Sequence, residues 1–138
     1  MAKAVSFVIC DSIQNVPGPQ GELVPTIVAP QIALRPQFIP SYFSFAMALG
    51  VSDIDLRAEN RMRLVILNPE GESIHDTGDS ALPQVEDQDV LPREYQGFIA
   101  NMDIRNLAIL SEGEYKFVFY VNGDCIGEYG VPIFKRAM

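Results

Sequence analysis

Apolar side chains fall on every second position along most of this chain, and that alternation constrains the fold more than any other feature. Phe43, Phe45, Met47 and Leu49 share one parity, while Tyr42, Ser44, Ala46 and Ala48 take the other. Met62, Leu64 and Ile66 repeat the pattern, as do Phe98, Ala100, Met102 and Ile104, and Tyr115, Phe117, Phe119 and Val121. Val5, Phe7 and Ile9 alternate in the same way with Ala4, Ser6, Val8 and Cys10. Successive strand residues point to opposite faces of a sheet, so a period of two is the mark of strands with one face on a core. Residues 53–63 have a helix-compatible composition, but Ile54, Leu56 and Ala58 also alternate, so the stretch is not assigned to a helix.

The punctuation between these runs fits short antiparallel connections. Asn122-Gly123 is the strongest short hairpin signal, and Asn68-Pro69-Glu70-Gly71 suits a type I turn. A short polar strand is expected from Ser73 to Thr77. Residues 13–25 hold Asn15, Pro17, Gly18, Pro19, Gly21 and Pro25 and read as a loop. Pro30 makes the following extended run an edge or bulged strand. Residues 78–94, with Gly78, Pro83, Pro92 and several acids, read as a long solvated loop. The expectation is an all-β chain: an antiparallel β-sandwich of immunoglobulin-like, Greek-key type, with seven to nine strands in one domain over residues 1–138. Tyr115, behind Glu112-Gly113-Glu114, fits the tyrosine corner of such sandwiches, and an ordinary core tyrosine fits the same pattern.

Composition sets the class of partner. The chain has 138 residues, 48% of them hydrophobic, enough for a core and too many for global disorder. Its 18 acidic and 10 basic side chains give a formal charge of −8, which argues against nucleic acid or an anionic membrane as partner. No apolar run approaches the roughly 18 residues of a spanning helix, and residues 1–11 read as a first strand rather than an export signal. Cys10 and Cys125 are too few for a disulfide scaffold, so two free thiols and a cytoplasmic location are expected.

A family resemblance rests on several of these segments together. Val8-Ile9-Cys10-Asp11-Ser12, Phe38-Ile39-Pro40, the run from Arg63 to Gly71, and Glu112-Gly113-Glu114-Tyr115 with Asn122-Gly123 carry it. In this order they resemble a small bacterial β-sandwich family catalogued as a domain of unknown function (family 6941). Asn68 stands where the family's turn usually carries Asp, and the acidic loop around Asp87 has no counterpart there. The family has no assigned activity or catalytic residues, so the resemblance implies fold, bacterial origin and cytoplasmic location.

Candidate chemistry is sparse. His75 is the only histidine, and a hydrolytic triad with Ser73 and Asp76 would place Asp76 on the opposite face of the strand. Asp76, Asp79, Asp87 and Asp89 are calcium candidates by charge alone, without an EF-hand string. Zinc spacing is absent, Gly18-Pro19-Gln20-Gly21 lacks the lysine and helix of a phosphate loop, and no cofactor is expected. Tyr42, Tyr95, Tyr120 and Tyr129 could stack on sugar rings. Val118, Tyr120 and Tyr42 lie at outward parity among few charges, which marks them as an interaction face. Such a face calls for cover by the Pro-rich 13–40 segment or by a second subunit, making a homodimer. Two readings follow: a non-enzymatic protein-interaction or assembly module with a protein partner, or a small-ligand, carbohydrate or calcium-binding sandwich that uses the acidic 76–94 loop.

Overall fold

The computed structural model describes residues 1–84 and 91–137. Its strands are β1 (Lys3–Pro17), β2 (Leu23–Gln31), β3 (Ser41–Ser52), β4 (Arg61–Leu67), β5 (Ser73–Asp76), β6 (Ser80–Ala81), β7 (Gly97–Ile109), β8 (Gly113–Val121) and β9 (Asp124–Ile133). One sheet has the order β2-β1-β3-β7 and the other β5-β4-β8-β9, with β6 also pairing β4. Every ladder is antiparallel. The chain changes sheet between β3 and β4, between β6 and β7, and again between β7 and β8. That is the Greek-key order of an immunoglobulin-like sandwich, in which β1, β3 and β7 are one layer and β5, β4, β8 and β9 the other.

The alternating residues build the core between the layers. Phe45, Met47, Leu49 and Val51 of β3 are buried together with Leu64 and Ile66 of β4 and Tyr115, Phe117, Phe119 and Val121 of β8. Rings bridge the sheets: Phe45 lies 5.9 Å from Phe117, and Phe7 stacks on Tyr129 at 4.6 Å between centroids. Tyr115 forms the corner, its hydroxyl donating to the Ser111 carbonyl at 2.7 Å. The Asn122-Gly123 hairpin also forms, with φ of 52° and 85°, the positive pair that a type I′ turn requires. At its foot the buried Asn60 is fully engaged. Its amide donates to the Asp55 and Ala58 carbonyls, and its Oδ1 accepts from Asn122 Nδ2 at 2.9 Å.

Two expectations are corrected. Residues 13–25 are not a loop: β1 runs on to Pro17 and returns as β2, with Val16 opposite Val24 and Pro17 opposite Leu23. The turn between them is Gly18-Pro19-Gln20-Gly21, closed by Gly21 N–H to the Gly18 carbonyl at 3.0 Å. Pro at the second position and Gly at the fourth is the same turn chemistry as Asn68-Pro69-Glu70-Gly71, which closes from β4 to β5 with Gly71 N–H to Asn68 at 2.9 Å. Gly21 and Gly71 even share a left-handed backbone, at φ 81° and 86°. The second correction is at the start of β1. A bulge between Ala4 and Ser6 puts Ala4 on the inner side with Phe7 and Ile9 and turns Val5 out to solvent.

Candidate functional site

The outward residues of the two sheets do not form one face. Val118 and Tyr120 lie on the outside of β8, whereas Tyr42 lies on β3 in the opposite sheet. Val118 is only 7% exposed and pairs with Val65, while Arg63 and Tyr120 pair one step away. Long polar side chains border this pair of valines. The Arg63 guanidinium sits 5.7 Å from the Tyr120 ring centroid and donates to Asp76 at 2.9 Å, and Lys116 pairs with Glu128 at 3.4 Å. The expected apolar patch on β8 is therefore dressed by its own charged neighbours. On β3, Ala46 and Ala48 are already buried within one chain, so they call for no second subunit; Tyr42 stays 76% exposed.

The remaining candidates separate in the same way. Asp76 is held by Arg63 and by the Gly78 N–H at 2.9 Å, and the guanidinium keeps its carboxyl well below the usual carboxylate range. It is thus not free to orient His75, and no hydrogen bond joins Ser73, His75 and Asp76 among the described residues. Of the calcium candidates, Asp76 and Asp79 are described and Asp87 and Asp89 lie outside the described residues. Among the described residues no three His, Cys, Asp or Glu side chains converge as a metal site. The tyrosines make no platform. Tyr129 is packed on Phe7, and Tyr120 lies beside Arg63. Tyr42 stands opposite Ala108 and Tyr95 precedes Gly97, which pairs with Ser52, so these two sit at opposite ends of β3, roughly 30 Å apart at strand rise. Cys10 and Cys125 are both free, and burial, with Asp11 and Asp103 nearby, pushes the Cys10 thiol up.

What the alternation could not show is the flank of the sandwich at β7. One edge of this 13-residue strand pairs with β3 from Ser41↔Ile109 to Ser52↔Gly97. No described strand pairs with its other edge. In an immunoglobulin-like sandwich that position belongs to a further strand between β6 and β7. Beneath the free edge, the two sheets part to leave a cleft of about 650 Å³. Phe98, Ala100 and Met102 of β7 form one wall and Met62 and Leu64 of β4 the other, with Leu56 and Leu82 at one end. Thr77, Ser80 and Asn101 are its polar lining, and none of its described lining residues is charged.

This edge, unpaired by any described strand, is competent to pair over residues 97–104. β7 contains no proline, the residue that most simply blunts an edge. Its charges Asp103 and Arg105 are turned outward and pair with each other at 3.7 Å. Beyond Ile104 the ladder slips by one residue, Phe45 facing Ile104 and Phe43 facing Leu107, and Asn106 takes a φ of 55°. This bulge bends the strand and ends the straight run. The sequence signal that could have marked the site is the pairing of an alternating strand with an unassigned long stretch just before it, where a covering strand would have to come from.

Among solved structures, the chain is similar to an immunoglobulin-like protein from Pseudomonas aeruginosa, with 11% identity, 96% of each chain covered and a TM-score of 0.47. The sandwich rests instead on this chain's own strand order, to which a likeness at that level adds nothing. No family model and no curated protein matches the chain. No helix of the described residues is long and apolar enough to cross a membrane.

Proposed function

We propose that this protein is an interaction module that takes up an extended segment of a protein partner as an added strand on β7. The observation that carries the reading is the position of an apolar cleft, with no charge among its described lining residues, directly beneath a proline-free edge that no described strand pairs. A strand laid on that edge gains main-chain hydrogen bonds along residues 97–104 and points every second side chain into the cleft. About eight residues of strand span roughly 26 Å, so the fitting partner is a short segment with small or branched apolar residues at alternate positions and no charge on that face. A cleft whose described lining carries no charge selects for such a segment over one that would bury a charge there.

A small apolar ligand is the second reading, because a concave volume of this size with Thr77, Ser80 and Asn101 as polar points is also the form of a small-molecule site. The free edge favours the strand, since a small ligand has no use for it. Neither reading asks the protein to be an enzyme or to hold a metal or cofactor. The two free thiols support the cytoplasmic location that also belongs to this reading.

The test is amide hydrogen exchange with an eight-residue peptide of alternating valine and threonine, beside a scrambled peptide that breaks the alternation. The alternating peptide is expected to slow exchange at residues 97–104, and Ala100→Trp, which fills the cleft, is expected to abolish the effect while the fold persists. Equal protection by both peptides, or none, overturns the reading. A small apolar probe that raises the melting midpoint without slowing β7 exchange favours the second reading instead.

A further inference from the structure

The hairpin made by β1 and β2 leaves the sandwich. Pairing between β1 and β3 ends at Cys10↔Ala46, but pairing between β1 and β2 continues through Ser12↔Val28 and Val16↔Val24 to Pro17↔Leu23. The break falls at Asp11, opposite Ala29, whose φ of 55° bends the returning strand. Beyond it, among the described residues, the two strands pair only with each other. A ribbon of two strands is marginal in water unless a third strand or a packed face supports it. This one exposes Val16, Leu23, Val24 and Ile27.

We propose that this arm is the dimer contact of the protein, two copies pairing arm to arm through the free edge of β1. Charge selects a second copy as the occupant. Residues 12–32 carry Glu22 as their only charged side chain, so all but one unit of the net charge of −8 lies elsewhere. Two copies therefore repel over most of their surfaces and least along the arm. The edge is selected as well. β2 carries Pro25 and Pro30 and is the blunted side, whereas residues 11–16 of β1 hold no proline and have lost β3 as a partner. Antiparallel pairing of β1 with its own copy about a two-fold axis joins the two ribbons into four strands and uses the same patch on both sides, so assembly stops at the dimer. The contact lies on β1 and β2 and makes no use of the β7 cleft, so either proposal stands if the other fails.

Sedimentation and light scattering of the full chain at about 50 μM, with reductant present, give the test. The wild type is expected to be a dimer. Val16→Glu and, separately, Leu23→Glu place like charges across the contact and are expected to raise the dissociation constant at least about tenfold. Both positions are solvent-exposed in the single chain, so the circular dichroism and melting midpoint of the monomer should be retained. In the wild type, amide exchange at residues 12–16 is expected to slow as protein concentration rises. A monomeric wild type overturns the proposal. So does a dimer that survives both glutamates, or one lost instead on Ile99→Lys at the β7 edge.

Discussion

The two flanks of this sandwich are built from the same strand types and end differently. On one flank β1 meets β9: a Cβ at Gly127 would stand 2.9 Å from the Ala4 methyl, so the sheets touch there because glycine faces alanine. The 33–36 segment then closes the end of the β9 edge at residues 132–134. Leu34, fully buried, donates its N–H to the Pro132 carbonyl at 2.9 Å, accepts from Phe134 N–H, and bridges Ile133 in parallel. Arg35 adds Nε to the Phe134 carbonyl at 2.9 Å. On the other flank β7 faces β4 and β6 across the cleft, without a described strand to do the sealing. Strand composition does not distinguish the flanks; a single crossing segment does, by satisfying the end of one edge while no described strand pairs the other.

The largest effect that would break this contrast is expected from its plug. Leu34→Ala removes a fully buried side chain from the sealed flank and is expected to cost about 2–5 kcal/mol in urea unfolding. Met102→Ala, on the half-buried wall of the cleft, is expected to cost less than half as much, because water already reaches that side of the site. Equal losses would mean that the cleft is closed in solution.

A smaller effect is expected at the end of the sandwich, where Asn60 ties residues 53–60 to the β8–β9 turn. Asn60→Ala leaves the Ala58 carbonyl and the Asn122 amide without their Asn60 partner and the Asp55 carbonyl with the Ala58 N–H alone, and is expected to cost about 1–3 kcal/mol. Asn60→Asp, which keeps an acceptor for Asn122 but cannot donate to the carbonyls, should recover little. Full recovery in thermal melts would assign the role to the Asn122 bond alone.

The smallest effect is expected at the rim of the open flank. The Asp76 carboxyl is depressed when folded, chiefly by its hydrogen bond from Arg63, so its contribution is present above the unfolded carboxyl range and fades as pH falls through the lower folded value. Both groups are exposed, so the contribution is slight. Asp76→Asn should therefore flatten the acid limb of the stability curve below about pH 4 and leave the neutral region nearly unchanged, measured as the urea midpoint against pH. An unchanged acid limb would remove the ion pair from the account.

Legibility in the sequence followed locality. Strands β3, β4 and β8 are readable because each alternates along its buried length, β7 because it alternates up to its bulge after Ile104, and the Asn122-Gly123 turn because its backbone demand is local. The β1–β2 hairpin was not read, although Gly18-Pro19-Gln20-Gly21 carries the same signal as Asn68-Pro69-Glu70-Gly71. The difference is context: Asn68 follows the alternating Met62, Leu64 and Ile66, while Gly18 follows Gln14, Asn15, Val16 and Pro17, a strand with no core beneath it and hence no apolar parity. The bulge at Ala4 was hidden for a related reason, since a single extra residue reverses parity without altering composition. Val118 reads as an open patch because parity reports the face a side chain points to, and says nothing of Lys116 along the same strand or of the Arg63, Asp76 and Glu128 side chains brought around it from β4, β5 and β9.

By itself, then, the sequence determined what depends on neighbours along the chain: which segments are strands, which of their faces are apolar, where tight turns close, and that Tyr115 could fasten a corner. The tertiary structure decided which edges are paired, that residues 33–36 close the end of β9 while no described strand pairs the outer edge of β7, and that β1 parts from β3 after Cys10 and runs on with β2 alone. The physical reason is that a side-chain pattern records burial on the two faces of a strand, whereas its edges are lined by backbone N–H and C=O groups that every residue but proline carries alike.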